Sequence, residues 1–128
     1  MITILTMQNV IDLHTRIIED TSYATEHQFC GLLRDEATME FILEEYNTLT
    51  EPFEKAASFL YKVATRHPFM QGNKRLAYVG AFITLDCAGF SITADKRARY
   101  EFLIRTADNM FTLSEVCIWL KQNSTEKR

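Results

Sequence analysis

The sequence predicts an all-α fold, a compact bundle of about six helices. Three observations predict it. Only four Gly and two Pro occur in 128 residues, and an all-β domain of this size would need more turns than those residues can supply. Apolar residues recur at helical spacing in several segments. Helix-start chemistry precedes these segments, and a glycine closes one of them. With 47% hydrophobic and 24% charged residues, the composition is that of a globular chain and not a disordered one. Its 128 residues make one domain, residues 1–128, which hides roughly two thirds of its unfolded surface.

Taken in order, residues 7–20 predict a first helix with Val10, Leu13, His14, Ile17 and Ile18 on one face. Residues 21–33 are mixed, hold Gly31 and predict a loop. Residues 34–47 predict a second helix, whose acidic start suits the positive end of the helix dipole. Thr50 is placed to cap a third helix, with Pro52 in its first turn. Its apolar stripe runs Phe53, Ala56, Ala57, Leu60, Tyr61, Ala64 and continues to His67, where Pro68 ends it.

After a short loop from Pro68 to Gly72, Asn73 is placed to cap a fourth helix running to about Ala88. That segment is apolar nearly all round and predicts the middle of the bundle, with Gly89 as its terminator. Phe90 to Ile92 reads as a short extended piece. Residues 94–107 predict a helix with Tyr100, Leu103 and Ile104 inward. Thr112 and Glu115 have capping-box spacing and open a last helix through Leu120, with Trp119 and Phe111 as core anchors. Residues 122–128 are polar and predict a frayed end.

A net charge of −3 and a pI of about 5.6 leave no basic stripe for nucleic acid. No apolar run reaches membrane-spanning length, and the N-terminus lacks the basic start and cleavage site of a secretory leader. Cys30, Cys87 and Cys117 are odd in number, widely spaced and without a CxxC, which fits a reduced, cytoplasmic protein. Cys87 and Cys117 read as buried small hydrophobes. His14 and His27 are too far apart to suggest a metal site and read as surface or core histidines. Lys96, Arg97 and Arg99 read as a solvated helix face.

The segment His67-Pro68-Phe69-Met70-Gln71-Gly72-Asn73-Lys74-Arg75 carries the chemistry. A helix N-terminus presents unpaired N–H groups that favour an anion. Gly72 permits close approach to the backbone. Lys74 adds a point charge, and Arg75 can grip two phosphate oxygens. His67, just ahead, carries an imidazole, the side-chain type that most often takes a proton from a hydroxyl in catalysis. Base and phosphate cradle together are what transfer from a nucleotide to a hydroxyl requires. Singly, each residue has a structural reading: a helix cap, a turn, a solvated charge. Their occurrence within nine residues is more specific.

These nine residues resemble the motif of the Fic/Doc (Fido) family. The Asn73-Lys74-Arg75 ending resembles the Doc, or death-on-curing, branch, and Gly31 to Glu36 is similar to a stretch upstream of the motif in such chains. The resemblance implies the Fido fold, a helical bundle with the active loop between two central helices. It implies that His67 is the general base and Phe69 the anchor of the loop. Gly72, Asn73, Lys74 and Arg75 would bind the phosphates of ATP, with Mg²⁺ as the metal. Lys74 in place of the usual second glycine implies reversed ATP binding and transfer of the γ-phosphate to a Ser or Thr hydroxyl. The implied protein target in Doc toxins is a translation elongation factor. Lys74 speaks against the alternative, AMP transfer as in the Fic branch.

Gln71 stands where the family usually has the acidic residue that helps to hold Mg²⁺. A neutral amide is a weaker ligand for that ion. The metal would then be held mainly by phosphates and water, or the domain would act by binding alone. Ser22 to Glu26 begins the family's inhibitory-helix pattern, but Phe29 stands where Gly or Asn is needed. That departure implies a separate antitoxin as partner.

Overall fold

The computed structural model describes residues 3–20 and 29–127, with six helices and two short strands among them. Helix α1 (Met7–Glu19) opens on a capping box between Thr6 and Asn9, and it buries Val10, His14 and Ile18, one face at helical spacing. Asp35 caps α2 (Glu36–Thr48): its carboxylate accepts from the Thr38 N–H at 3.1 Å and the Thr38 hydroxyl at 2.8 Å. Those two hydrogen bonds hold its pKa below the ordinary aspartate value. Helix α3 (Pro52–Arg66) is capped by Glu51, not Thr50, because the Glu51 side chain reaches the Glu54 N–H at 2.7 Å.

Helix α3, rather than α4 (Asn73–Cys87), is the enclosed centre of the bundle. It packs most extensively on α4 and also meets α2, α5 (Lys96–Ala107) and α6 (Leu113–Gln122). Its polar residues hid this from a hydropathy reading. Lys55 is 1% exposed, and its ammonium donates to the carbonyls of Tyr46 (2.7 Å) and Leu49 (3.0 Å) at the C-terminus of α2. It also lies 3.9 Å from the centre of the Tyr46 ring. Lys62 is buried against Glu45, 2.9 Å away. Helix α4 buries Leu76, Ala77, Gly80, Ala81, Thr84 and Leu85 against α3 but leaves Phe82 exposed.

The α3–α4 crossing is close because Gly80 has no side chain. A methyl group there would fall 2.9 Å from Cζ of Phe59 and nearer still to Cε1 and Cδ1. Beside it, the Tyr46 hydroxyl donates to Thr84 Oγ1 at 2.6 Å, and Thr84 donates in turn to the Gly80 carbonyl at 2.8 Å. Every polar group in that chain is satisfied.

Residues 122–127 are ordered rather than frayed. Residues Ser124–Glu126 form β2, antiparallel to β1 (Phe90–Ile92). The pairing extends outward through Thr93 N–H to the Asn123 carbonyl and Lys127 N–H to the Gly89 carbonyl. Lys127 also pairs with Asp86. Helix α6 starts at the predicted Thr112–Glu115 capping box. Its Trp119 stacks on Phe102 of α5 with ring centres 3.8 Å apart, and Phe111 packs on the same ring.

Three further expectations are corrected. Tyr100 is 64% exposed, because Phe102 and Thr106 form the buried side of α5. Cys87 is exposed at the last position of α4, and Cys117 is half-buried. His27 and the Ser22–Glu26 segment lie outside the described residues.

Candidate functional site

The turn between α3 and α4 is built by partners on four sides. His67 ends α3 with φ 49°, a left-handed conformation uncommon outside glycine. It costs roughly 1–2 kcal/mol for an L-residue. Pro68 bars His67 from the right-handed helical region but does not itself select the left-handed turn. Arg34 stabilises it: Nε donates to the His67 carbonyl and Nη2 to the Arg66 carbonyl, both at 2.7 Å. His67 therefore leaves the apolar stripe of α3 and is exposed at its end.

The next residues are held as though in a small sheet. The N–H groups of Arg34 and Asp35 donate to the Pro68 carbonyl at 2.8 and 3.0 Å, and the Met70 N–H donates to the Leu32 carbonyl at 3.1 Å. Leu33 and Phe69 form an antiparallel bridge. From inside, Asn73 Oδ1 accepts from the Phe69 N–H and Asn73 Nδ2 donates to the Phe69 carbonyl, each at 3.0 Å. Its amide thus replaces a missing strand for Phe69. That is why Asn73 is buried in the first turn of α4 while Gly72, at φ 76°, takes the cap position assigned to Asn73 from sequence.

Phe69 is fully buried and stacks on the His14 imidazole, ring centres 4.0 Å apart and planes 12° apart. His14 is fully buried too. Its Nδ1 accepts the Gly31 N–H at 2.9 Å, which leaves the proton on Nε2 to be donated to the Gln71 carbonyl at 2.7 Å. Burial holds its pKa below the ordinary histidine value, despite the Gln71 hydrogen bond; the positive charge of Arg75 acts in the same direction as burial.

Beyond this turn, Gly72, Asn73, Lys74 and Arg75 line a cavity of about 360 Å³ whose far wall is Tyr100, Leu103 and Ile104 of α5. The first bond of α4 runs from the Leu76 N–H to the Gly72 carbonyl. The N–H groups of the preceding residues thus belong to the open end of the helix. Among the described residues nothing accepts the Gly72 N–H. A cavity with amides and two cations on one side and aromatic and aliphatic groups on the other suits an anion bearing a flat apolar part. His67, Phe69 and Gln71 are not in that wall. A cavity of about 400 Å³ between α2, α3 and α6 offers less for phosphate, because Lys62 there is paired with Glu45 and Glu54 adds a further negative charge.

The sequence reading did not assign His14 or Tyr100 to the site. His14 and Arg34 act through tertiary hydrogen bonds that no spacing reveals. For α5 a signal existed: Tyr100, Leu103 and Ile104 fall at i, i+3 and i+4 and make one face. Arg97 pairs with Glu101 at 3.2 Å, both side chains in solvent. Arg99 instead lies over the Tyr78 ring, 5.3 Å from its centre. Among the described residues no three His, Cys, Asp or Glu side chains converge on a metal position, and no helix is long and apolar enough to cross a membrane.

No curated protein matches the chain. The sequence model of the Fic/DOC family matches residues 4–85, which include all nine residues from His67 to Arg75. That match spans well over half of the chain and coincides with the clamped turn and the first helical turn beside the cavity, so the chain belongs to the Fic/DOC family.

Proposed function

We propose that this protein is a Doc-like toxin that transfers the γ-phosphate of ATP to a Ser or Thr hydroxyl of a protein target. The observation that supports it most is the cavity where Gly72, Asn73, Lys74 and Arg75 face Tyr100, Leu103 and Ile104. Its size and two-sided chemistry fit a nucleotide, with phosphates on the helix end and the base against α5. His67 stands at the neighbouring corner as the general base. It takes the hydroxyl proton while the hydroxyl oxygen bonds to the γ-phosphorus. The bond to the β–γ bridging oxygen breaks, and ADP leaves. Phe69 anchors the turn that carries these groups. Lys74, in the place of the family's second glycine, favours phosphate transfer over AMP transfer by filling part of the usual phosphate pocket.

The donor set does not fit a protein-held Mg²⁺. Gln71 offers a neutral amide, and no carboxylates converge there among the described residues. Any metal arrives with the triphosphate and is held by it and by water. The same observation favours a second reading, a silent domain that binds nucleotide or a partner without transfer. A translation elongation factor is the target the resemblance favours, and a separate antitoxin is the inhibitor. Nucleic acid and membrane are not partners in this reading, and the cytoplasm is its setting.

The test is mass spectrometry of a bacterial lysate incubated with the protein, ATP and Mg²⁺, with His67→Ala as the control. A phosphate added to one protein only by the native chain supports the proposal. An added nucleoside monophosphate overturns it in favour of AMP transfer. No modification by a folded chain favours the silent domain.

A further inference from the structure

We infer that His14, which lies outside the motif, is the positioning residue that aims the Gly72 N–H at the anion held by the α4 N-terminus. The inference deepens the proposed nucleotide site and rests on that reading for its relevance to phosphate transfer. A trans peptide holds its C=O and N–H in opposite directions, and no peptide among the described residues is cis. The Gln71 carbonyl and the Gly72 N–H belong to one such peptide. The carbonyl is tied inward to His14 Nε2 at 2.7 Å. The Gly72 N–H is therefore turned away from His14, and nothing among the described residues accepts it. Gly72 itself lines the cavity with Lys74 and Arg75.

The histidine is tied on every side that could let the peptide swing. The Gly31 N–H fixes Nδ1 as an acceptor, so Nε2 must carry the proton. Phe69 fixes the plane of the ring at 4.0 Å. Gly72 leaves no room on the α1 side, since a Cβ there would lie 3.0 Å from Ile18 Cδ1 and 3.4 Å from His14 Nε2. A peptide held this way donates to an anion without first reorganising, which is how preorganised amides stabilise charge. It also gives α1 a function in a site otherwise made by α3, α4 and α5.

Two substitutions separate aiming from mere filling. In His14→Gln the amide nitrogen falls near the position of Nε2 and keeps a donor for the Gln71 carbonyl. In His14→Asn the side chain reaches only as far as Nδ1, so it can serve Gly31 but not Gln71. Pyrophosphate is the probe, followed by the NMR shift of the Gly72 amide and by affinity. The native chain and His14→Gln should bind with similar affinity and move the Gly72 amide. His14→Asn should bind at least about tenfold more weakly, the loss of one hydrogen bond to a charged group.

Equal pyrophosphate affinity in His14→Asn overturns the inference and leaves the enzyme reading intact. Equal loss in both variants also overturns it, since that is what a packing role would give. A native chain whose Gly72 amide ignores pyrophosphate overturns it outright. Should the predicted split appear while the lysate experiment shows no transfer, the inference stands and the kinase reading falls. If His14→Asn does not fold, the native chain decides. Its imidazole must carry the proton on Nε2, and pyrophosphate must slow exchange of that proton together with the shift of Gly72. A proton found on Nδ1 overturns the inference.

Discussion

Replacing Gly80 by Ala sets helix propensity directly against packing. Gly80 is interior to α4, where Ala is the better helix former by about 1 kcal/mol. Propensity alone therefore predicts stabilisation. The added methyl would meet the Phe59 ring at 2.9 Å from Cζ and closer at two other ring atoms, where carbon–carbon contacts normally begin near about 3.5 Å. Phe59 is fully buried between α2 and α4, edge-on to Tyr46 with ring centres 5.8 Å apart, so the ring has no free space to enter. Overpacking of this kind costs roughly 1–3 kcal/mol and sometimes more, and the wedge against a fixed ring belongs at the upper end. After the propensity gain is subtracted, Gly80→Ala should destabilise by about 2 kcal/mol. That corresponds to a fall in Tm of roughly 6–10 °C for a domain of this size.

Urea unfolding at 25 °C measures it, with an unchanged m-value expected because the surface exposed on unfolding is the same. Combining Gly80→Ala with Phe59→Leu removes the clashing ring atoms, and the double variant should recover at least about 1 kcal/mol relative to additivity. A Gly80→Ala chain as stable as the parent, or additive behaviour of the pair, refutes the reasoning.

Lys55→Met should cost about 2–4 kcal/mol in urea unfolding, because it leaves the Tyr46 and Leu49 carbonyls without their buried donor; a neutral result would show that water replaces the ammonium. Arg34→Ala should cost only about 1–2 kcal/mol of stability yet lower phosphate transfer, because the His67 and Arg66 carbonyls lose their shared donor. Arg34→Lys should not restore transfer, since one ammonium cannot reproduce the guanidinium fork. The folded chain holds His14 below its ordinary pKa, so the unfolded chain takes up a proton that the folded chain refuses. Stability from this group is therefore full above about pH 6.5 and is lost as the pH falls through that value towards the folded pKa, by up to about 1.4 kcal/mol per unit. Urea midpoints from about pH 7.5 down to 5 should fall more steeply for the native chain than for His14→Gln, and parallel curves would contradict this.

The sequence by itself determined the helical class and most helix boundaries. Helix starts and stops are set by neighbours within four residues: the Thr112–Glu115 box, the Pro68 stop and the end of α4 before Gly89 are all local chemistry. The motif was equally legible, because its nine residues are contiguous. Only the tertiary structure decided which helix is central. Lys55 and Lys62 can be buried in α3 because α2 supplies carbonyls and a carboxylate to receive them. Only it decided that the last residues pair with β1, because a strand of three residues has no stability without a partner 32 or more positions away. It also decided which partners hold the turn. His14 and Arg34 lie 57 and 33 residues from the carbonyls of Gln71 and His67 that they bind. Hydrogen bonds of that span leave no periodicity in a sequence, since they depend on how helices pack and not on how each one forms.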